Sequence, residues 1–312
     1  MQNISGVIGL SILQNKKNKI FIFYDDHNNV EYCGDKFYIS DLFSDLLKNE
    51  KYSKDMCLLL EEPFFNNLSK IKVLWGQSSH LHNFRKFYTQ IINKCTKDKV
   101  CVGYPVDVRL VLTDFSIEEI MDVHNASPKY RKITIKTFFN PILFLFGIHA
   151  TLFKKNSIID FLKGIFINFN DSRFYKELHK RIIIFYNKFV KDNEDLFLYD
   201  YVKTLSPDNL NFRYIKGYPF INEGNIYFFD EIDKILSGIM EFYIFIMILI
   251  LPHKFKFFYA GYYHSNNMKY ILMNYYGYQL ISEYGITEDI EIKNSSKIKN
   301  CIAVEKKKFL DL

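Results

Sequence analysis

The sequence predicts an α/β protein whose mostly parallel central sheet is flanked by helices and interrupted by a helical insertion. Two observations carry this. Four short apolar runs each end abruptly in ionisable residues: Lys19 to Tyr24 runs into Asp25, Asp26 and His27, Met56 to Leu60 into Glu61 and Glu62, Val100 to Val106 into Asp107 and Arg109, and Phe255 to Ala260 into Gly261 and His264. Helical patterns separate them, and short apolar runs spaced in this way read as buried strands of a parallel sheet. Ligands of such sheets bind where the strands end. That edge is therefore expected to gather two histidines, several carboxylates and an arginine.

Taken in order, the first 115 residues alternate: strand 19–25, a helix over 40–49, strand 56–61, a helix near 79–95 and strand 100–106. Right-handed βαβ units follow from that alternation. Ser40 and Asp41 suit the start of the first helix, where a cap and an acidic residue satisfy free amides. From Ser116 to about Lys216 the spacing becomes helical. Ser116 to Val123 opens on a Ser cap followed by acids, and Phe174 to Val190 sets apolar side chains at three- and four-residue intervals. Pro141, Pro207 and Pro219 punctuate this stretch, which reads as an insertion covering the sheet or lidding its active edge. Residues 229–251 form a long core helix, and 255–260 the last strong strand. A short helix over 270–276 ends at Gly277, strand 278–282 follows, and after Thr287 only 301–304 is strand-like. The expected division is 1–115 and 229–290 for the two halves of the core, 116–228 for the insertion or lid, and 291–312 for a charged tail.

Composition narrows the class. At 48% hydrophobic and 18% aromatic, 312 residues have ample material for a sizeable core. Phe and Tyr far outnumber the single Trp, and Lys, Ile and Asn abound, a pattern of A/T-rich coding. The net charge of +6 arises from 41 basic and 35 acidic residues interspersed throughout, so a basic face of the kind nucleic acid requires is not expected. Five cysteines, Cys33, Cys57, Cys95, Cys101 and Cys301, form no CxxC pair, and reduced thiols are expected, with Cys57 and Cys101 inside strands. Met1 to Leu13 has no basic leader and makes a poor signal peptide. The apolar segment 235–251 approaches the length of a membrane span, but Glu241 sits inside it and Pro252 closes it, which favours a buried helix over membrane association.

The most motif-like stretch is Tyr259 to Leu280, where a strand delivers Gly261, whose missing side chain permits a close turn, and then His264. It resembles the second Gly-x-x-His motif of the TIKI/TraB superfamily, which also embraces ChaN-like and erythromycin-esterase-like proteins. The stretch Phe23 to His27 is similar to the family's first motif, although Asp25 and Asp26 stand where the family has its glycine. Glu61 or Glu62 resembles the family glutamate after the second strand, and Arg109 its arginine. Tyr24 to Cys33, Leu58 to Pro63 and Val106 to Arg109 further resemble proteins encoded by large DNA viruses of protists, which implies a host-cytoplasmic or virion location. The resemblance covers residues 19–115 and 255–282 and leaves the helical middle unmatched.

What the resemblance implies is a hydrolase of peptide or ester bonds acting on a peptide or small-molecule substrate. Its site would comprise His27, Glu61, Glu62, Arg109 and His264, with His27, Asp26, Glu62 and His264 as ligands of a divalent Mn, Co or Zn ion in the metal-dependent form. Two imidazoles and one or two carboxylates at one edge suit such an ion with open positions. Metal-free chemistry needs only His27 as base, oriented by Asp25, Asp26 or Glu61, with His264 or Arg109 stabilising an oxyanion. Arg109 fits an anionic group of the substrate and equally a structural ion pair with Asp107. His80 and His82 suit a solvated helix start, and His149 a satisfied core position. A non-catalytic viral structural or host-interaction protein that keeps the fold is the alternative, since the missing first-motif glycine and the aromatic surplus fit an assembly surface.

Overall fold

The computed structural model describes residues 2–26, 34, 37–49, 53–63, 86–90, 103–115, 117–149, 152, 155–206, 227–288, 299 and 301–304. The expected features at His27, at His80 and His82, at Cys33, Cys95 and Cys101, and over most of the 79–95 helix lie outside those residues; within that helix, 86–90 is helical. The chain forms two compact units, one of Met1–Glu62, Asn67–Val106 and Ile248–Leu312, the other of Pro63–Asn66 and Asp107–Met247.

The first unit is the expected α/β layer. In chain order its elements are β1 (Gln2–Ser5), β2 (Gly9–Gln14), β3 (Lys19–Asp25), α1 (Ile39–Lys48), β4 (Met56–Pro63) and β5 (Gly103–Asp107). A six-stranded sheet runs β5-β4-β6-β3-β2-β7, where β6 is Phe255–Gly261 and β7 is Gln279–Gly285. The sheet is mixed and mostly parallel. β3 and β4 flank β6 in parallel, with Asp25 level with Gly261 and Leu60 level with Tyr259. β2 is antiparallel to both β3 and β7. A separate antiparallel pair joins β1 to β8 (Cys301–Val304).

The sequence reading omits β1 and β2. β2 is buried along its length except at Gln14, so it shows no polar alternation, the usual mark of a short strand. Its signal is the turn: the Asn15 side chain accepts hydrogen bonds from the amides of Lys17 (2.8 Å) and Asn18 (2.9 Å), reversing the chain into β3. Ile281 is an extra residue where the β2–β7 register shifts, a bulge that leaves Leu280 and Ile281 both exposed on this edge strand. At the other end of that pair the backbones pass so closely that a Cβ on Gly9 would overlap the Ile286 carbonyl, and one on Gly285, whose φ is +66°, the Ile8 carbonyl.

Each face of the sheet is covered. On one, alternate residues Phe21, Phe23, Leu58, Leu60, Phe257 and Tyr259 meet Ile39, Leu42, Phe43 and Leu46 of α1 in one buried cluster. The Phe21 and Phe257 rings stack at 4.6 Å, and Phe43 stands edge-on to Phe23 at 5.4 Å. On the other packs the helix Tyr262–Tyr276. It is longer than the expected 270–276 because it starts directly at the end of β6, and it ends at Gly277 as the sequence implies. Cys57 is a buried free thiol on β4, as expected. Cys301, in contrast, is disulfide-bonded, which corrects the expectation of reduced thiols.

The second unit is helical. After α2 (Arg109–Thr113) and α3 (Ile117–Met121) come α4 (Ile135–Leu145), α5 (Ser157–Ile167), α6 (Arg173–Phe185), α7 (Leu198–Thr204) and α8 (Phe228–Ile250), whose last residues, from Ile248, belong to the first unit; the helix Tyr262–Tyr276 is then α9. Phe139, Phe185, Phe189 and Phe228 interlock here with ring centroids 5.1–6.5 Å apart. α8 covers the apolar segment weighed above as a membrane anchor. Residues 235–248 of it are buried within the protein, and no described helix is long and apolar enough to cross a membrane. Two of its ionisable groups pair inside: Lys234 donates to Glu231 at 2.6 Å, and Arg181 of α6 lies 3.7 Å from the same carboxylate.

Candidate functional site

The carboxyl-terminal ends of β3, β6 and β4 bring Asp25, Glu61, Glu62 and His264 to one rim of the first unit. Parallel pairing in register sets the strand ends level, and the two-residue alternation of side chains then sorts the groups between the two faces. Glu61 falls on the α9 face. Its Oε2 accepts the Gly261 amide at 2.7 Å, and its Oε1 lies 3.6 Å from His264 Nε2. Gly261 is both the last residue of β6 and the cap of α9, so one carboxylate closes the strand and starts the helix. His264 is in the first turn of α9 and 6% exposed; the Glu61 side chain is 3% exposed. Ser265 anchors the same turn, its Oγ lying 2.9 Å from the Phe23 carbonyl and 3.1 Å from that of Ala260.

Asp25 and Glu62 fall on the opposite face with Tyr259. Burial and then the charge of Asp25, which is also hydrogen-bonded to it, hold the Tyr259 phenol well above its ordinary range, with Glu62 and Glu61 adding to the effect. The same hydroxyl lies 3.2 Å from the Gly6 carbonyl. Asp25 is 1% and Glu62 5% exposed. Tyr259 is the participant that sequence reasoning missed. It was legible only as one more aromatic in an apolar run, although its alternation with Phe255 and Phe257 puts it on the face of Asp25.

The expected site is thus only partly assembled among the described residues. Glu61 and His264 meet. Glu62 shares their rim but stands on the other face, and Asp26 follows the end of β3, partly exposed. Arg109 belongs to the second unit, where its guanidinium grips Asp107 through Nε to Oδ1 and Nη2 to Oδ2, both at 2.9 Å, while its amide donates to Oδ1 at 3.1 Å. Asp107 is 1% exposed, and the two residues form the ion pair that the sequence suggests as one of two roles for Arg109. His149, expected as a satisfied core histidine, is half-buried and its Nε2 makes no hydrogen bond among the described residues; the ring lies 6.0 Å from that of Tyr186, which opens a π-helical segment, Tyr186–Val190.

The metal expectation meets the same division. Among the described residues no three His, Cys, Asp or Glu side chains stand close enough to hold one ion. With Glu61 held by the Gly261 amide and Glu62 facing away from His264, the described donors do not form a metal centre. No protein-family model, curated protein or solved structure matches this chain.

Proposed function

We propose that the protein is a hydrolase of ester or peptide bonds in which His264, oriented by Glu61, activates water at the carboxyl-terminal rim of the parallel strands. The observation that carries this reading is the base and carboxylate pair, built from two strand ends and fixed by a backbone amide. In the reaction, the imidazole takes a proton from water as the oxygen adds to the substrate carbonyl, and Glu61 stabilises the imidazolium that results. The proton then passes to the leaving group as the tetrahedral intermediate collapses. First-turn amides of α9 supply positive potential beside the developing oxyanion. The 3.6 Å separation exceeds a hydrogen bond, and forming the imidazolium would tighten it.

The test is hydrolysis of a panel of p-nitrophenyl esters and fluorogenic peptides by the wild type, His264→Gln and Glu61→Gln. Gln at 61 keeps an acceptor for the Gly261 amide, so that variant retains the strand end. Loss of about 10²-fold or more in either, with the circular dichroism spectrum unchanged, supports the reading.

A second reading has its own observation. His264, Asp25 and the Glu61 side chain are all nearly inaccessible, as in a network that only closes the strand ends. A wild type without hydrolysis, and variants that lose only stability, would identify a non-catalytic scaffold of structural or host-interaction type.

A further inference from the structure

At the amino-terminal edge of the sheet, opposite the rim of Glu61 and His264, the first unit gathers lysines. Parallel pairing sets Lys19, Phe255 and Met56 level at the starts of β3, β6 and β4. The Lys19 amide donates to the Lys254 carbonyl at 2.9 Å and the Phe255 amide to that of Asp55 at 2.8 Å, which ties the three incoming turns together. The turn before β3 adds Lys16 and Lys17, and the turn before β4 adds Lys54. Lys16, Lys17, Lys54 and Lys254 are exposed and Lys19 is half-buried, while Asp55 is the one carboxylate among the described residues of these turns. None of the five ammonium groups forms an ion pair with a described residue.

Aliphatic side chains stand at the same edge. α8 is buried from 235 to 248, but its last two residues, Leu249 and Ile250, are 39% and 48% exposed. Half-buried Leu251 and exposed Pro252 follow, and Lys254 comes next but one. The burial of the helix thus breaks off where its chain reaches the lysines. Cations around a short aliphatic tip suit an anionic bilayer, because the tip enters the headgroup boundary while the ammonium groups meet lipid charge. A nucleic acid would use the charge alone, since bases stack on rings and the exposed apolar side chains here are aliphatic.

We propose that this edge is a peripheral docking surface for an anionic membrane, with Leu249 and Ile250 entering the headgroup region and Lys16, Lys17, Lys19, Lys54 and Lys254 resting on the lipid charges. The proposal is independent of hydrolysis. β3 and β6 each run seven residues away from this edge, ~20 Å, so the rim of Glu61 and His264 faces water when the surface is seated.

Co-sedimentation of the full chain with vesicles of phosphatidylcholine alone, and of phosphatidylcholine with about 30% phosphatidylserine, tests this on the wild type, the double variant Lys16→Gln/Lys17→Gln, and Ile250→Ser. All three positions are exposed, and circular dichroism checks that the variants keep the fold. The wild type is expected to sediment with the anionic vesicles only, and to be released by about 0.5 M NaCl. A lysine near such a surface is worth about fivefold in partitioning, so the double variant should bind roughly 30-fold more weakly. Ile250→Ser should weaken binding by roughly tenfold and leave its salt dependence unchanged. A wild type that stays in the supernatant at low salt, equal binding to the two kinds of vesicle, binding that either variant leaves intact, or capture of single-stranded RNA in place of anionic vesicles overturns the proposal.

Discussion

Removing the Ser11 hydroxyl should cost more than removing the Tyr24 hydroxyl it touches, and removing both should cost less than the sum. Ser11 Oγ donates to Glu283 Oε1 at 2.8 Å, and Lys269 Nζ donates to the same oxygen at 2.8 Å. A serine has one hydroxyl proton, so the 2.9 Å contact between Ser11 Oγ and Tyr24 Oη is made by the Tyr24 proton. Burial, together with the nearby Glu283 charge, raises the phenol far above its ordinary range despite the opposing effect of its contact with Ser11, so that proton stays in place. Both residues are 0% exposed. Tyr24→Phe removes a donor and leaves Ser11 bonded to Glu283, at a cost of about 1 kcal/mol. Ser11→Ala strands the buried phenol and takes a donor from the carboxylate, at a cost of about 2–4 kcal/mol. In the double variant the stranded phenol is gone, giving a coupling of about 1–2 kcal/mol. Urea denaturation at neutral pH measures all three. Additive effects, or Tyr24→Phe costing as much as Ser11→Ala, would refute the assigned direction of the chain.

Gly9→Ala forces a Cβ into the Ile286 carbonyl and should destabilise the protein by about 2–4 kcal/mol in denaturant. Burial works to raise the Glu283 carboxyl, but hydrogen bonds from Lys269 and Ser11 and the Lys269 charge outweigh it and hold it below its usual range. A carboxyl lowered in the folded state contributes stability above its ordinary value of 4.5, and that contribution is lost as pH falls through the folded value. Lys269→Met should therefore flatten the decline of unfolding free energy below pH 4.5, and an unchanged profile would count against the pairing. The Cys57 thiol, fully buried and pushed up to about 12 by burial, should stay unmodified by a thiol reagent at pH 8 in the native protein and react only with unfolding.

Much of the layer was legible because apolar runs of strand length and their polar ends are local properties of the chain. β3, β4 and β6 stand where Lys19 to Tyr24, Met56 to Leu60 and Phe255 to Ala260 predict, and α8 covers the long apolar segment. β2 was hidden by its own burial: a strand enclosed on both faces and on both edges carries no alternation, and only the Asn15 turn betrays it. The sorting of carboxylates was harder. Glu61 and Glu62 are neighbours in sequence, yet the pleat sends one towards His264 and the other towards Tyr259, a separation that needs the strand's register as well as its existence. The ion pair of Asp107 and Arg109 shows the converse, since residues two apart at a strand end pair with one another.

The double-variant cycle of His264→Gln and Glu61→Gln in kcat/KM tests the central claim most directly, once a hydrolysed substrate is in hand from the ester and peptide panel. A base and its orienting carboxylate act as a unit, so the double variant should be no slower than His264→Gln alone. Multiplying losses, or full activity in either single variant, would contradict the assignment of this rim as the reactive centre.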